Sequence, residues 1–451
     1  MRKFLSLLVL VLVLFLVGCN VATNSSKDAL NSDVDRESVP SSPSGYKGDE
    51  DRPSGWYSEE VSPSGKGDAA VYDHSDSYEG VYPFDGDLPE GEIKDNNEKL
   101  RAGQLTASAT MDNEKYNYWK SLLTSNQEGE GIFQSYNNEF AFKTANRIAL
   151  TFPKGTFAKV SLYDGEKVEF IGLTDANGVC YVFSKSAKES YKVSIEYLNK
   201  DGNLTTFDDE LTGDKEYTLE TLESVRDLIE IMFVIDATGS MGDEMRYLQA
   251  EITDVIKKVK EANGNIRVLL SVMVYRDHGD EYVTKYSDFT EDVSSQIAFL
   301  NKQSANGGGD FEEAVQVALK EASEKQWTSG NSTKILVHIA DAPAHDGDVE
   351  SWNETTLALA KMGIRVLTIA SSGISKKTEY FFRSQSILTN GVYVHLTNDS
   401  GIGGDHIEAT TEEKEEVELL NDCLVRLING FHTGDFGTPI NWRQSQSTPL
   451  S

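Results

Sequence analysis

Cysteine is nearly absent from this chain: three among 451 residues, at Cys19, Cys180 and Cys423. So few exclude a disulfide scaffold, and no Cys/His set at metal-ligand spacing exists to hold zinc. Cys180 and Cys423 fall in different segments and read as small buried hydrophobes. Positive charge is also scarce. Lys and Arg number 42 against 73 Asp and Glu, a formal net charge of -31. Phosphate backbones are repelled over most of such a surface, which excludes nucleic acid as a partner. Proline is thin, ten in all, and most of it lies between residues 20 and 97. Beyond the first residues no apolar run is long enough to span a bilayer as a helix. Signatures of catalysis are missing too. There is no Gly-x-Ser-x-Gly elbow, and the Gly-rich stretch "NGGGDFEEAV" (306–315) lacks the Lys of a phosphate-binding loop.

What the chain does have starts at its amino end. Arg2 and Lys3 precede an apolar run from Phe4 to Val17, followed by Gly18 and Cys19. A membrane helix needs about 20 apolar residues, so this run reads as an export signal over residues 1–18. "LVGC" resembles the bacterial lipobox. That resemblance implies a lipid on Cys19, membrane attachment through this lipid alone, and a place in the cell envelope or at the cell surface. Residues 19–97 repeat Pro-Ser-Gly at 43–45, 53–55 and 63–65 and are dominated by acidic side chains. Such a stretch buries too little to offset the cost of ordering, and reads as a self-repelling tether.

Apolar content returns at 98–138, where Tyr116, Trp119, Leu122 and Leu123 suit one side of a short helix in an otherwise irregular segment. Residues 139–222 change rhythm. Short β-rich runs such as "RIALTFP", "AKVSLYD" and "YKVSIEYL" recur about every ten residues, with Asp-Gly and Asn-Gly turns between several of them. This predicts a small antiparallel β-sandwich, and the segment resembles the immunoglobulin-like modules of bacterial surface proteins, which act as spacers. From 228 to 431 continuous apolar strands ("IEIMFVIDA", "IRVLLSVMVY", "KILVHIAD", "IRVLTIAS", "GVYVHL") alternate with helical stretches, the last over 412–430. That pattern predicts an α/β fold, a doubly wound and mostly parallel sheet covered on both faces. Residues 432–451 form a tail.

In such a sheet, ligands sit beyond the carboxyl ends of the strands. The first strand ends in Asp236, Thr238 and Ser240; "HIADAPAH" places Asp341 after a central strand; Asp310 closes the glycine run. Carboxylates and hydroxyls at short reach suit a hard divalent cation, and converging carboxylates would repel one another without one. Asp310 has a second reading, as the N-cap of the helix entered at "FEEAV". "YRDHGD" (275–280), with Arg276, Asp277, His278 and Asp280, reads either as a rim that shapes the site or, preferably, as a structural loop in which Arg276 pairs with an acidic neighbour. His338 reads as a core residue, and His345 lies near the loops without a partner His.

The four motifs "DATGSM", "YRDHGD", "GGGDFEE" and "DAPAH" occur in the order found in a subgroup of von Willebrand factor type A domains, and "DATGSM" resembles the D-x-S/T-x-S signature of their metal-ion-dependent adhesion site. The resemblance implies a Rossmann-like fold and a metal held by Asp236, Thr238, Ser240, Asp310 and Asp341. It places Asp310 where the family usually has Thr. The implied ion is Mg²⁺, with Ca²⁺ and Mn²⁺ as alternatives. The implied function is non-enzymatic: a protein partner presents an Asp or Glu that completes the coordination, in adhesion or assembly. Two other readings stay open, an envelope protein whose metal only stabilises its loops, and a metal-dependent hydrolase.

Overall fold

The computed structural model describes residues 101–124, 131–264 and 266–447. The export signal, Cys19 and the acidic tether lie outside the described residues. In chain order come β1 (Thr106–Thr110), α1 (Tyr116–Leu123) and α2 (Gln134–Glu139). Seven short strands follow: β2 (Asn146–Thr151), β3 (Ala158–Asp164), β4 (Lys167–Leu173), β5 (Val179–Ser184), β6 (Tyr191–Leu198), β7 (Leu204–Leu211) and β8 (Lys215–Glu216). Next are β9 (Leu228–Asp236), α3 (Gly242–Ala262), β10 (Arg267–Tyr275), β11 (Thr284–Thr290), α4 (Val293–Leu300) and α5 (Val315–Ser323). Then come β12 (Thr333–Ala340), α6 (Val349–Lys361), β13 (Ile364–Ala370), α7 (Lys376–Leu388) and β14 (Val392–Leu396). The chain closes with β15 (Val417–Leu419), α8 (Leu420–Thr433) and α9 (Trp442–Ser447).

The large sheet has the order β11-β10-β9-β12-β13-β14-β1-β15. Its five inner strands, β10, β9, β12, β13 and β14, pair in parallel, as the apolar runs predict. Both faces are covered, which is why these runs are apolar throughout rather than alternating. Along β9, Ile229, Ile231, Phe233 and Ile235 pack with Leu248, Ile252 and Val255 of α3 and Leu424 and Leu427 of α8. Met232 and Val234 point the other way, into a core that includes Val315, Trp352, Phe381 and Phe382. Cys423 joins the first of these cores and Cys180 the second, and both thiols are free. Burial pushes both thiol pKa values up, so neither ionises readily.

Three antiparallel strands depart from the expectation. β11 borders β10, β1 pairs with β14, and β15 pairs with β1. β11 is a half-exposed edge, "TKYSDFT", without an apolar run. β1 is "TASAT", whose small side chains are buried by the sheet rather than by their own hydrophobicity. So the segment 98–138 is not merely a lead-in: it supplies a strand of the large sheet. The final helix also starts later than 412, because Val417–Leu419 pairs with β1 before α8 begins. Among the described residues no helix is long and apolar enough to cross a membrane.

The strands β2 to β8 therefore sit, in sequence, between two strands of the large sheet. They form a three-stranded sheet, β5-β2-β8, and a four-stranded sheet, β4-β3-β6-β7. Leu150, Val160, Leu162, Val182, Val193 and Ile195 belong to one apolar cluster between them. The expected Asn-Gly turn lies between β4 and β5. Asp175 Oδ1 accepts from the backbone N–H of Asn177 and Val179, each at 2.9 Å, and Gly178 takes φ +77°. A Cβ on Gly178 would stand 2.6 Å from the carbonyl oxygens of both Phe152 and Pro153. Gly178→Ala is expected to cost about 1–3 kcal/mol, since neither backbone can retreat without breaking strand pairing. A urea midpoint equal to that of the unsubstituted chain would count against this. Side chains of the large-sheet region hold the small sheets: Arg365 donates to Leu173 O at 2.9 Å and Arg226 to Thr174 O at 3.3 Å, while Asn177 donates to Gly434 O at 2.8 Å.

Candidate metal site

β9 is buried along its whole length and ends on Asp236, which is itself fully buried. Just beyond it the chain folds back on its own carboxylate. Asp236 Oδ1 accepts from Thr238 N at 2.8 Å and from Thr238 Oγ1 at 2.7 Å. Thr238 Oγ1 and Ser240 Oγ lie 3.3 Å apart, and the one-turn helix Gly239–Met241 leads straight into α3. The glycine run is zipped to this loop: Gly239 N donates to Gly307 O at 3.1 Å and Asn306 N to Ala237 O at 3.0 Å. Gly307 and Gly308 both take positive φ. A Cβ on Gly308 would lie 3.1 Å from Glu313 Oε1 and 3.4 Å from Thr238 Cβ, so the bare glycine lets the two loops close together.

Asp341 follows β12 and is buried beside Ser240, whose hydroxyl holds its carboxyl down against the effect of burial. Burial, then the Asp341 charge, pushes Asp236 well above the usual carboxylate range, and burial with the Glu244 charge raises Asp341. Thus Asp236, Thr238, Ser240 and Asp341 lie together at the end of the sheet.

Asp310 does not join them. Its side chain is 63 % exposed, and its neighbours are His345 (Nδ1 to Oδ2, 4.0 Å) and Asp277, which is itself 3.1 Å from His345 Nε2. Asp310, Asp277 and His345 form a separate group whose ligand atoms lie within 4.8 Å of one another, a set that could also take a cation. Nor does Asp310 cap a helix, because α5 begins only at Val315, with Ala314 as its N-cap. The residues between stay irregular and pair with the loop after β12: Glu313 N donates to Pro343 O at 2.9 Å, and Glu313 forms a bridge with Ala344. This turns Glu313 inward instead. Glu313 is 2 % exposed, and burial followed by the charges of Asp236, Asp277 and Asp341 pushes its carboxyl up to about 9.

A second residue escapes the sequence motifs. Glu244, in the first turn of α3, is fully buried and adds its charge to the surroundings of Asp341. Its Oε1 accepts from Ser372 N at 3.0 Å and lies 3.4 Å from His406 Nε2. In the "YRDHGD" loop both readings have a counterpart: Asp277 belongs to the rim group with Asp310 and His345, and Arg276 Nη1 lies 3.9 Å from Glu281 Oε2. Arg276 is buried and donates to Ala237 O at 3.0 Å and Ser304 O at 2.9 Å, fixing the backbone behind Asp236. Asp280 Oδ2 accepts from Gly308 N at 2.9 Å and so anchors the glycine run. His338 is a core residue. Its Nε2 is 3.1 Å from Tyr275 Oη, and burial pushes its pKa down to about 4.

Chemically, the centre is a buried set of oxygens. Asp236 Oδ2, Glu313 Oε2 and Asp341 Oδ1 are each buried without a hydrogen-bond partner. Unpartnered buried carboxylate oxygens are costly, and three near one another more so. Carboxylate and hydroxyl donors with no nitrogen or sulfur among them fit a hard divalent cation. The residues that could hold it are Asp236, Thr238, Ser240, Asp341 and, by position, Glu313.

Residues 230–410 match the family model of the von Willebrand factor A domain. An alpha-protein kinase of Dictyostelium discoideum is 24 % identical over 197 residues, covering 41 % of this chain and 31 % of that protein. A putative ariadne-like RING finger protein of Acanthamoeba polyphaga mimivirus is 26 % identical over 192 residues, covering 38 % of this chain and 19 % of its own length. The chain thus spans less than a third of either relative. Among solved structures, the conserved hypothetical protein BatB of Bacteroides thetaiotaomicron aligns with 37 % of this chain and 89 % of its own, at 15 % identity and a TM-score of 0.30. The span that matches the von Willebrand factor A domain model, 230–410, contains Asp236, Thr238, Ser240, Glu313 and Asp341.

Proposed function

We propose that this domain is a cation-dependent protein-binding module, displayed on the cell envelope by a lipid on Cys19 and lifted from the membrane by the acidic stretch over 19–97. The observation that carries the reading is the set of orphaned, buried carboxylate oxygens of Asp236, Glu313 and Asp341, grouped at the carboxyl end of the sheet beside Thr238 and Ser240. A divalent ion, Mg²⁺ first and Ca²⁺ or Mn²⁺ otherwise, would satisfy them. When bound, it supplies an electrophilic point to which an Asp or Glu of a partner protein can attach. The family match supports an interaction role rather than catalysis. The small sheets β2 to β8 serve as an immunoglobulin-like spacer within the module.

The test is a pull-down from the native envelope with the full chain, with Mg²⁺ and with EDTA. Partner capture is expected to be lost in EDTA and in Asp236→Ala, since removing this carboxylate takes away both a ligand and the acceptor that shapes the Thr238 turn. Capture that survives both treatments sinks the reading. If the ion only locks the loops, Asp236→Ala instead lowers the melting temperature and leaves partner affinity unchanged.

A further inference from the structure

Within the motif "GGGDFEE", the two candidate carboxylates behave oppositely. Asp310 lies on the rim with Asp277 and His345. Glu313 lies inside, its backbone fixed by the Pro343 carbonyl, one oxygen close to Gly308 and the other buried without a partner. The Thr238 hydroxyl interacts with both Asp236 and Glu313, so the two carboxylates flank one hydroxyl group. Nothing cationic on the described residues pairs with Glu313.

We propose that Glu313 supplies the third carboxylate to the cation, and that it sets the charge of the loaded site. This rests on the cation-site reading above. With Asp236, Glu313 and Asp341 ionised, three negative charges face two positive ones, so the loaded site keeps a net negative charge. Such a site holds its ion firmly and attracts a further carboxylate weakly. Fully buried Glu244 beside Asp341 strengthens the same bias. Glu313 is thus a specificity-determining residue: it sets affinity for the ion against affinity for an acidic partner group.

Calorimetric titration of the full chain with MgCl₂, combined with melting in EDTA and in Mg²⁺, separates the possibilities. Glu313→Gln keeps the shape and removes the charge. It is expected to weaken Mg²⁺ binding at least tenfold, yet to melt above the unsubstituted chain in EDTA, because a neutral amide replaces a buried carboxyl that has no counter-charge. Asp310→Asn is expected to stay within twofold in Mg²⁺ affinity and unchanged in melting. At saturating Mg²⁺, a hexaglutamate peptide is expected to bind Glu313→Gln at least fivefold more tightly than the unsubstituted chain. Glu313→Asp, which keeps the charge but shortens the reach, provides a second variant should Glu313→Gln fold poorly; its Mg²⁺ affinity is also expected to fall. Mg²⁺ affinity unmoved by either Glu313 substitution overturns the proposal while leaving the cation site intact, as does a loss that follows Asp310→Asn instead. An unsubstituted chain that takes up no Mg²⁺ or Ca²⁺ overturns this proposal and the cation-site reading together.

Discussion

Arg383→Met is expected to destabilise the described region by about 3–5 kcal/mol, the cost typical of breaking a buried ion pair from one side. Arg383 is fully buried in α7 and donates through Nε to Asp112 Oδ2 at 2.9 Å, and through one terminal nitrogen to Glu379 Oε1 at 3.0 Å and Thr410 O at 2.6 Å. Asp112 and Glu379 are buried as well. Methionine fills much of the volume, so the loss comes chiefly from Asp112, left without its counter-charge, while Glu379 keeps Lys376 Nζ at 2.7 Å. Burial already raises the Asp112 carboxyl against the pull of Arg383, and without the guanidinium it rises further. Three pieces of chain meet at this one side chain: the turn after β1, the helix α7, and the loop before β15. Typical domain stabilities are about 5–15 kcal/mol, so the variant should unfold at far lower urea and lose the β1 edge early. The triple variant Arg383→Met, Asp112→Asn, Glu379→Gln should recover part of the loss. Urea titration followed by circular dichroism checks both; a midpoint within error of the unsubstituted chain would dismiss the account.

The second large effect is on pH. In EDTA, Glu313 has a folded-state pKa near 9 against an unfolded value of 4.5, and Asp236 and Asp341 are shifted in the same direction. The folded chain therefore binds more protons than the unfolded chain between these values. The stability this represents is complete below about pH 4 and is lost as pH rises through the folded pKa, at up to about 1.4 kcal/mol per pH unit for each group. Buried His338 and His395 act the other way. Burial holds both down to about 4, so they favour the folded state increasingly as pH rises to about 6.5 and not beyond. Above pH 7 those two no longer contribute, while His345, raised by Asp277 against the effect of burial, adds a loss of the same sign as the carboxylates. The comparison is therefore made over pH 7–9, with His345→Asn as a control. There the melting temperature in EDTA should fall steadily. In saturating Mg²⁺ the ionised carboxylates are the ones the cation holds, so the fall should vanish and the two curves should separate as pH rises. Scanning fluorimetry at three pH values with each additive is sufficient. Parallel curves would mean that no cation is held by these carboxylates.

Much of this architecture is written openly in the residues. The five inner strands are buried on both faces, and burial of that kind demands uninterrupted Val, Ile, Leu and Phe, which is visible without coordinates. β1, β11 and β15 are edge or near-edge strands. Their residues are exposed, small or too few, and their strand conformation comes from pairing with neighbours far away in the chain. The same division holds at the site. Asp236, Thr238 and Ser240 are held by a local turn, and local turns leave a local pattern. Glu313 is placed by its backbone bond to Pro343, on a different loop, and nothing in "DFEEA" indicates which of three acidic residues that bond will turn inward. The only available signal was the adjacent pair Glu312–Glu313, whose side chains must diverge; Glu312 faces Lys377 at 3.5 Å.

The position of β1 has a consequence for how the molecule forms. Thr106 and Thr397, which meet at the end of the β1–β14 pair, are 291 residues apart in the chain. During synthesis β1 emerges long before the strand that will flank it, and twelve further strands come out in between, the first seven of them a set of their own. Closing so long a loop costs entropy that is repaid only when β14 arrives. The small sheets can assemble early from contacts close in sequence, while β1 waits as an unpaired edge. The expected kinetics are two separable phases, a fast one in the β2–β8 region and a slow one in which the β1 amides gain protection from hydrogen exchange last.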